Sequence, residues 1–448
     1  MRKLRNFPYN NILVLGLAKS GTAVSKILHR NNKNVIVNDL KASKQDDSVI
    51  ELEKLGIEVV TGSHPVSLLE GIDLIIKNPG IPYENILLQQ AVEEEIPIIT
   101  EIELLYYFDI RNLVGITGSN GKTTTTTLIY EMYKQAEFAV EIAGNIGHVA
   151  SQVAETMGNE RSMVVELSSF QLQGTRQFRP HISVLLNIFE AHLDFHKNLE
   201  NYQNAKANIF QNHTSEDFLV YNADDQKVVQ MIHSAKSRKV PFSRMKKLDR
   251  GAYVDNGVIY FNEEYIIDIA DIALVGTHNL ENILAAVAAA KVSSIPTSAI
   301  KSVLSVFNGV THRMQFVAKK EERLFYNDSK ATNILATSKA LQSFDQPTIL
   351  LAGGLDRGNG FDDLLPYLQN VKAMVLFGET AEKIQQIGQS AGIANISLVE
   401  DMNEAVKNAY QVSDKGDVIL LSPACASWDQ YTTFEERGNI FMESVHRL

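Results

Sequence analysis

The stretch Thr117-Gly118-Ser119-Asn120-Gly121-Lys122-Thr123-Thr124 has the residue types and spacing to hold phosphate. Gly118 and Gly121 can take backbone angles that residues with a Cβ avoid, so successive N–H groups can turn toward one anion. Lys122 can set its ammonium on outer phosphates, and Thr123 can offer a hydroxyl to a magnesium ion. The spacing is shorter than the common phosphate loop, because only Ser119 and Asn120 separate the two glycines unless Gly115 is counted first. The alternative is a glycine-rich turn with an exposed lysine. The flanks favour phosphate. Leu113–Ile116 is an apolar run fit for a buried strand, and Thr125–Lys134 can carry a helix whose N-terminus adds partial positive charge. A nucleoside triphosphate is the expected ligand.

Other polar groups could act beside such a loop. Glu166 ends the apolar run Ser162–Val165, where phosphate-loop enzymes keep a second metal-side group; the alternative is a strand-end glutamate facing water. Glu190, His192, Asp194 and His196 follow the strand-like run Ile182–Asn187. They read either as metal ligands or as surface and packing residues. Lys206 lies between Ala205 and Ala207 on a semi-apolar helix and, on residue type alone, reads as a lysine snorkelling to solvent. His278, Asn279 and Asn282 gather where the alanine-rich helix Ile283–Val292 begins, as caps or as partners of a base or phosphate.

The elements that must position these groups alternate between strand and helix. Asn11–Leu15, Asn34–Asn38, Ile57–Val60 and Asp73–Lys77 read as strands, as do Phe138–Ile142, Thr348–Ala352, Ala373–Phe377 and Asp417–Leu421. Such alternation implies doubly wound parallel sheets, whose ligands sit at the strand carboxyl ends. Gly16…Gly21 with Asp39 is half of a dinucleotide fingerprint, with Ala18 at the second glycine position. That turn could seat the diphosphate of a nucleotide or hold no ligand. Asp255-Asn256-Gly257 is a hairpin signal.

The 448 residues suggest two or three domains, and 45% hydrophobic with 21% charged residues is an ordinary globular composition. A net charge of −11 argues against nucleic acid as the main partner. Cys425 is the sole cysteine, which rules out an intrachain disulfide or cysteine metal cluster and suits a reducing compartment. Lys19 and Ser20 interrupt the N-terminal apolar run, and no stretch is long enough to span a bilayer. A cytoplasmic protein is expected.

Taken in order, several segments together resemble the Mur ligase family of cell-wall synthesis. They are Thr117–Thr124, Gly276-Thr-His-Asn-Leu-Glu-Asn282, His312-Arg313, Asn327-Asp-Ser-Lys-Ala-Thr-Asn333 and Ser422-Pro-Ala-Cys-Ala-Ser427. Glu166-Leu-Ser-Ser-Phe-Gln171 and Ser427-Trp-Asp-Gln-Tyr-Thr-Thr-Phe434 narrow the match to members that add D-glutamate to UDP-N-acetylmuramoyl-L-alanine. The resemblance implies an ADP-forming acid–D-amino-acid ligase with three α/β domains. These are a Rossmann-like UDP-sugar domain (1–100), a phosphate-loop ATP domain with a mainly parallel sheet (101–310) and a Rossmann-like amino-acid domain (311–448). It implies ATP and Mg2+ as cofactors and a monomer with no nucleic-acid partner and no membrane span.

Carried over residue by residue, the resemblance places the loop Gly118, Ser119, Asn120, Gly121, Lys122, Thr123 and Thr124 on ATP, with Asn279 and Asn282 beside it. Arg313 and Asp328 would reach ATP from the last domain. Thr123, Glu166, His192 and a carbamylated Lys206 would hold magnesium, with Asn145 near the reacting groups. Leu15, Leu40, Lys41, Asn78 and Gly80 would face the UDP-sugar, and Lys330, Thr332, Arg357, Ser427 and Phe434 the D-glutamate. Two positions depart from the family pattern: Arg357 stands where a lysine is usual, and Leu40 replaces a polar residue. Rival readings are a folylpolyglutamate-type ligase, a Mur ligase adding lysine or diaminopimelate, an NTP-binding switch and a nicotinamide oxidoreductase.

Overall fold

Apolar runs become the strands of three sheets in the computed structural model, which describes every residue except Val275 and the side chain of His278. The chain divides into two units, Met1–Phe307 and Asn308–Leu448. The first unit opens with β1 (Asn11–Leu15), β2 (Asn34–Asp39), β3 (Glu58–Thr61), β4 (Leu74–Lys77) and β5 (Ile98–Ile99), all parallel, in the order β3-β2-β1-β4-β5. Strand order reverses at β1 and β4, so the carboxyl ends of these two strands form the crevice where such sheets take ligands.

The same unit holds a nine-stranded sheet: β6 (Leu113–Thr117), β7 (Val140–Gly144), β8 (Ser162–Glu166), β9 (Ile182–Leu185), β10 (Phe218–Asn222), β11 (Arg238–Ser243), β12 (Ala252–Asp255), β13 (Val258–Phe261) and β14 (Glu264–Asp268). The order is β14-β13-β12-β11-β10-β9-β6-β8-β7, parallel from β12 to β7, with β13 and β14 antiparallel at one edge. The predicted hairpin joins β12 to β13, and Asn256 and Gly257 both take positive φ, as a two-residue turn of matching twist requires. The strand expected at 138–142 begins two residues later. Glu137 is still turning, with φ +61, and the Phe138 N–H donates back to the Tyr133 carbonyl.

Helix Lys122–Gln135 packs on helix Thr277–Val292, whose alanines 285, 286 and 288–290 are fully buried and let the two backbones approach closely. Buried carboxylates tie the segment after the first sheet to the second. Glu103 accepts the N–H groups of Arg176, Gln177 and Phe178, and Glu101 that of Ser151. Burial raises the pKa of both acids above the ordinary range despite these bonds.

The second unit carries β15 (Gln315–Lys320), β16 (Arg323–Asn327), β17 (Thr348–Gly353), β18 (Val371–Phe377), β19 (Asn395–Leu398) and β20 (Val418–Leu421), ordered β15-β16-β20-β17-β18-β19. Only the edge strand β15 runs antiparallel. Its final helix, Phe434–Arg447, is capped by Thr433 and buries Arg437 against the carbonyls of Ser329 and Cys425. The three α/β domains expected from the sequence are therefore all present, each built on a mostly parallel sheet.

Candidate functional site

Strand β6 delivers the chain into Gly118–Gly121, and the helix begins at Lys122 rather than at Thr125, so the helix N-terminus is itself the end of the loop. Gly121 takes φ +81, and a Cβ there would lie 2.0 Å from Asn282 Oδ1. Only glycine lets the loop and the first turns of helix Thr277–Val292 meet. Asn279 and Asn282 are both buried, and Asn282 Nδ2 donates to Asn279 Oδ1 at 3.3 Å. The N-cap of that helix is Gly276, so the two asparagines do not serve as caps; they sit beside the loop. The side chain of His278 lies outside the described residues.

Two lysines converge on one carbonyl. Lys122 Nζ donates to Gly118 O at 2.9 Å and to Ser119 O at 3.1 Å, and Lys206 Nζ donates to Gly118 O at 2.8 Å and to Thr117 Oγ1 at 3.3 Å. Lys206 is 1% exposed, so the snorkelling expected from its residue type does not occur: the ammonium points inward to the loop. Its Nζ lies over the ring of Tyr202, one helical turn earlier, 4.7 Å from the ring centre. Burial, and then the charge of Lys122, hold the Lys206 pKa well below its ordinary value, against the opposing pull of Glu166.

Glu166 closes β8 and is also 1% exposed. Its Oε1 accepts from Asn145 Nδ2 at 2.7 Å, and its backbone carbonyl takes the Asn145 N–H at 2.9 Å. Oε2 is buried with no hydrogen-bond partner among the described residues. A buried carboxylate oxygen left over at a strand end beside the phosphate loop fits a cation. His192 takes φ +55 at the start of Leu193–His196; burial, then Lys122 and Lys206, lower its pKa, which favours the uncharged imidazole. His196 has a different setting. Its Nε2 meets Ser169 Oγ at 2.9 Å, its ring stacks on Phe170, and burial pulls its pKa to about 4. It is a packing residue, as one of the two sequence readings had it. No group of three or more His, Cys, Asp or Glu side chains gathers into a metal cage among the described residues. Magnesium takes few protein ligands and fills the rest of its shell with water and phosphate oxygens, so a single strand-end carboxylate such as Glu166 fits it without a cage.

Sequence reasoning missed three supports of the loop. Asn187 accepts the Asn120 N–H at 2.9 Å through Oδ1, donates to Asn120 O at 3.2 Å, and accepts the Ser119 N–H on its carbonyl. Ser119 Oγ meets Tyr202 OH at 2.9 Å. Asp225 takes the Ile188 N–H at 2.9 Å and so holds the turn after Asn187. The signals were present: Asn187 ends an apolar run, and Tyr202 stands four residues before Lys206 on one helix face. Their relevance required knowing that β9 lies beside β6.

The first sheet gathers Leu15, Asn78 and Gly80 at its crevice. The Asn78 N–H donates to Leu15 O at 2.7 Å, and Asn78 Oδ1 accepts the Gly80 N–H at 3.2 Å. Gly16 and Gly21 make a tight turn, since a Cβ on Gly21 would lie 1.8 Å from Gly16 O. Asp39 binds the backbone N–H groups of Leu17, Lys41 and Ala42; against the opposing effect of burial, these hold its pKa below the usual range. That carboxylate shapes the turn, which weakens a dinucleotide reading. Leu40 is 52% exposed and Lys41 is exposed next to it.

In the second unit the singled-out residues collect at the carboxyl ends of β16, β17 and β20. Asp328 follows β16 and accepts from Ser422 Oγ at 2.9 Å and from the Met314 N–H at 3.1 Å. Burial raises its pKa to about 7, the Ser422 bond and the Arg313 charge opposing. Lys330 Nζ lies 5.7 Å from the Phe434 ring centre, the Thr332 N–H donates to Lys330 O, and Ser427 Oγ is buried without a partner among the described residues. Arg357 lies over Trp428 at 5.1 Å.

A phosphate loop with an inward lysine and a strand-end carboxylate, in a chain that also carries a sheet with a ligand crevice and a third α/β domain, fits a ligase of the Mur type, and the chain belongs to the Mur ligase family. The Mur ligase MurD-like N-terminal domain matches residues 10–100, the Mur ligase middle domain 116–290, and the Mur ligase glutamate ligase domain 312–425. The particular branch follows from full-length relatives. The chain is 55% identical to the UDP-N-acetylmuramoylalanine–D-glutamate ligase of Geobacillus sp. (strain WCH70), over all of both chains. It is 54% identical to the enzyme of that name from Bacillus subtilis (strain 168), over 98% of each. Solved structures share the fold. The UDP-N-acetylmuramate–alanine ligase MurC of Thermotoga maritima has a TM-score of 0.57 at 20% identity, with 98% of this chain and 99% of that one covered. The MurF ligase of Thermotoga maritima in complex with ADP has a TM-score of 0.56 at 16% identity, with 100% and 98% covered. Among the described residues no helix is long and apolar enough to cross a membrane.

Proposed function

We propose that this protein joins D-glutamate to UDP-N-acetylmuramoyl-L-alanine with cleavage of ATP to ADP and phosphate, a step of peptidoglycan precursor synthesis. The observation that carries the substrate assignment is the 55% identity over the full length of enzymes bearing that name. The chemistry follows from the site. A carboxylate is a poor electrophile, so its oxygen first attacks the ATP γ-phosphorus and ADP departs. The acyl phosphate then carries a leaving group, and the D-glutamate amine displaces phosphate to form the amide.

The first step brings two anions together, so positioning and positive charge carry the catalysis. Gly118–Thr124 cradle the phosphates, with Lys122 on the outer ones. Asn279 and Asn282 lie by the nucleotide, and Arg313 and Asp328 serve it from the last domain. Glu166, His192 and Thr123 would hold Mg2+, which when bound neutralises phosphate charge. Asn145 holds Glu166 in place through its 2.7 Å bond. Leu15, Leu40, Lys41, Asn78 and Gly80 take the UDP-sugar; Lys330, Thr332, Arg357, Ser427 and Phe434 take D-glutamate. The domains 1–100, 101–310 and 311–448 divide these tasks.

The buried amine of Lys206, with its depressed pKa, adds to CO2, losing a proton to become a carbamate oxygen ligand. The protein acts as a cytoplasmic monomer. The test is phosphate release with ATP, Mg2+ and the nucleotide substrate, adding amino acids singly. Release that depends on D-glutamate is expected. Release with another amino acid moves the specificity, and none with any amino acid refutes the ligase reading.

A further inference from the structure

Two backbone hydrogen bonds clamp the end of β17 and the loop that follows it to the loop after β20. The Gly353 N–H donates to Pro423 O at 2.9 Å, and the Leu355 N–H donates to Ala426 O at 3.0 Å. Gly354 permits this approach, because a Cβ there would lie 2.2 Å from Ala426 O. Counting two residues on from the Leu355–Ala426 pair gives Arg357 and Trp428, so the clamp itself brings these side chains together. The guanidinium carbon of Arg357 stands 5.1 Å from the Trp428 ring centre. The surroundings brace the pair: Asp429 Oδ2 takes the Glu379 N–H, and Glu379 Oε2 takes the Asp356 N–H. Trp428 is 65% exposed, so its ring supports no core, yet it directly follows Ser427, whose hydroxyl is buried without a partner among the described residues.

We propose that Trp428 is a positioning residue for acidic amino-acid recognition, its ring holding the Arg357 guanidinium by one face so that the planar edge is presented to the side-chain carboxylate of the substrate. This rests on the reading of the chain as a D-glutamate ligase. The physical argument is that stacking uses the face of a guanidinium and carboxylate binding uses its edge, so the two do not compete. A lysine offers no planar face and needs no such platform. An exposed arginine on a loop otherwise samples many rotamers, and fixing it in advance lowers the cost of binding.

The experiment is steady-state kinetics of the full chain with ATP, Mg2+, UDP-N-acetylmuramoyl-L-alanine and D-glutamate. Trp428→Leu should raise the KM for D-glutamate about two- to fivefold, the range an exposed cation–π contact supports. The KM values for ATP and the nucleotide substrate should stay unchanged, and Trp428→Phe should restore most of the loss. In an Arg357→Ala background, Trp428→Leu should leave the D-glutamate KM unmoved. Trp428 is the sole tryptophan, so Arg357→Ala should also shift the intrinsic emission of the unliganded protein. An equal rise in all three KM values, no rise for D-glutamate, or the same rise with and without Arg357 overturns the proposal. Wild-type protein without D-glutamate-dependent phosphate release overturns the functional reading and this inference together. A D-glutamate-active enzyme giving any of the three contrary results overturns this inference alone.

Discussion

Replacing Gly121 by alanine tests the contact that joins the phosphate loop to helix Thr277–Val292. The substitution meets two separate costs. At φ +81 an L-residue stands in the left-handed region, which costs about 1–2 kcal/mol. The new Cβ also falls 2.0 Å from Asn282 Oδ1 and 2.8 Å from its Cγ, and Asn282 is only 5% exposed, so its side chain has little room to retreat. Overpacking of this kind adds about 1–3 kcal/mol. Gly257 supplies the control. It lies in the same nine-stranded domain at φ +77, and nothing stands within 4 Å of where a Cβ would go, so Gly257→Ala carries the backbone cost alone. Thermal unfolding should therefore show Gly121→Ala as the more damaging, the difference being the clash, at about 2–4 °C per kcal/mol for a domain of this size. Adding Asn282→Ala removes the struck atoms, so the double variant should be more stable than the sum of the single effects. Because the loop must shift, kcat/KM for ATP should also fall about tenfold or more in Gly121→Ala. If Gly121→Ala matches Gly257→Ala in melting temperature and keeps its ATP kinetics, the packing of Asn282 against the loop is wrong.

Lys206→Arg keeps a cation but cannot form a carbamate; kcat should drop about a hundredfold or more, and a carbamate resonance expected from the wild type in 13C-bicarbonate should be absent from the variant. Full activity would refute the modification. Asn187→Ala leaves both backbone groups of Asn120 without their side-chain partner, so the KM for ATP should rise about fivefold or more while that for D-glutamate stays constant. Lys77, at the end of β4, is 1% exposed and burial lowers its pKa from 10.5 to about 8. The folded state thus loses this proton before the unfolded state does. Its cost is fully present below pH 8 and is relieved as pH rises toward 10.5, so stability gains up to about 3 kcal/mol across that window. Lys77→Met should flatten that rise in denaturant titrations between pH 8 and 10.5; an unchanged slope would show that the lysine is not desolvated.

The sequence by itself determined the alternation of strand and helix, the phosphate loop and the hairpin at Asn256-Gly257. Each is a local matter of apolar runs and glycine conformations, whereas most candidate site residues entered only through the resemblance to the Mur ligase family. Lys206 shows where local reasoning stops. Between two alanines on a helix it reads as a solvent-seeking lysine, and only the packing of that helix beside β6 turns its ammonium onto the Gly118 carbonyl. Asn187 is part of the loop because β9 pairs with β6, a neighbour relation between strands far apart in the chain. Asn279 and Asn282 have the residue types of helix caps, and it is the bare Gly121 that brings the loop against them. In the second unit, Arg357 and Trp428 stand 71 residues apart in sequence and meet through the clamp of two backbone bonds. Short-range preferences fix which residues can turn, extend or coil. Which side chains share a site depends on strand order and on the burial of whole faces, and those are settled only by the summed packing of the chain.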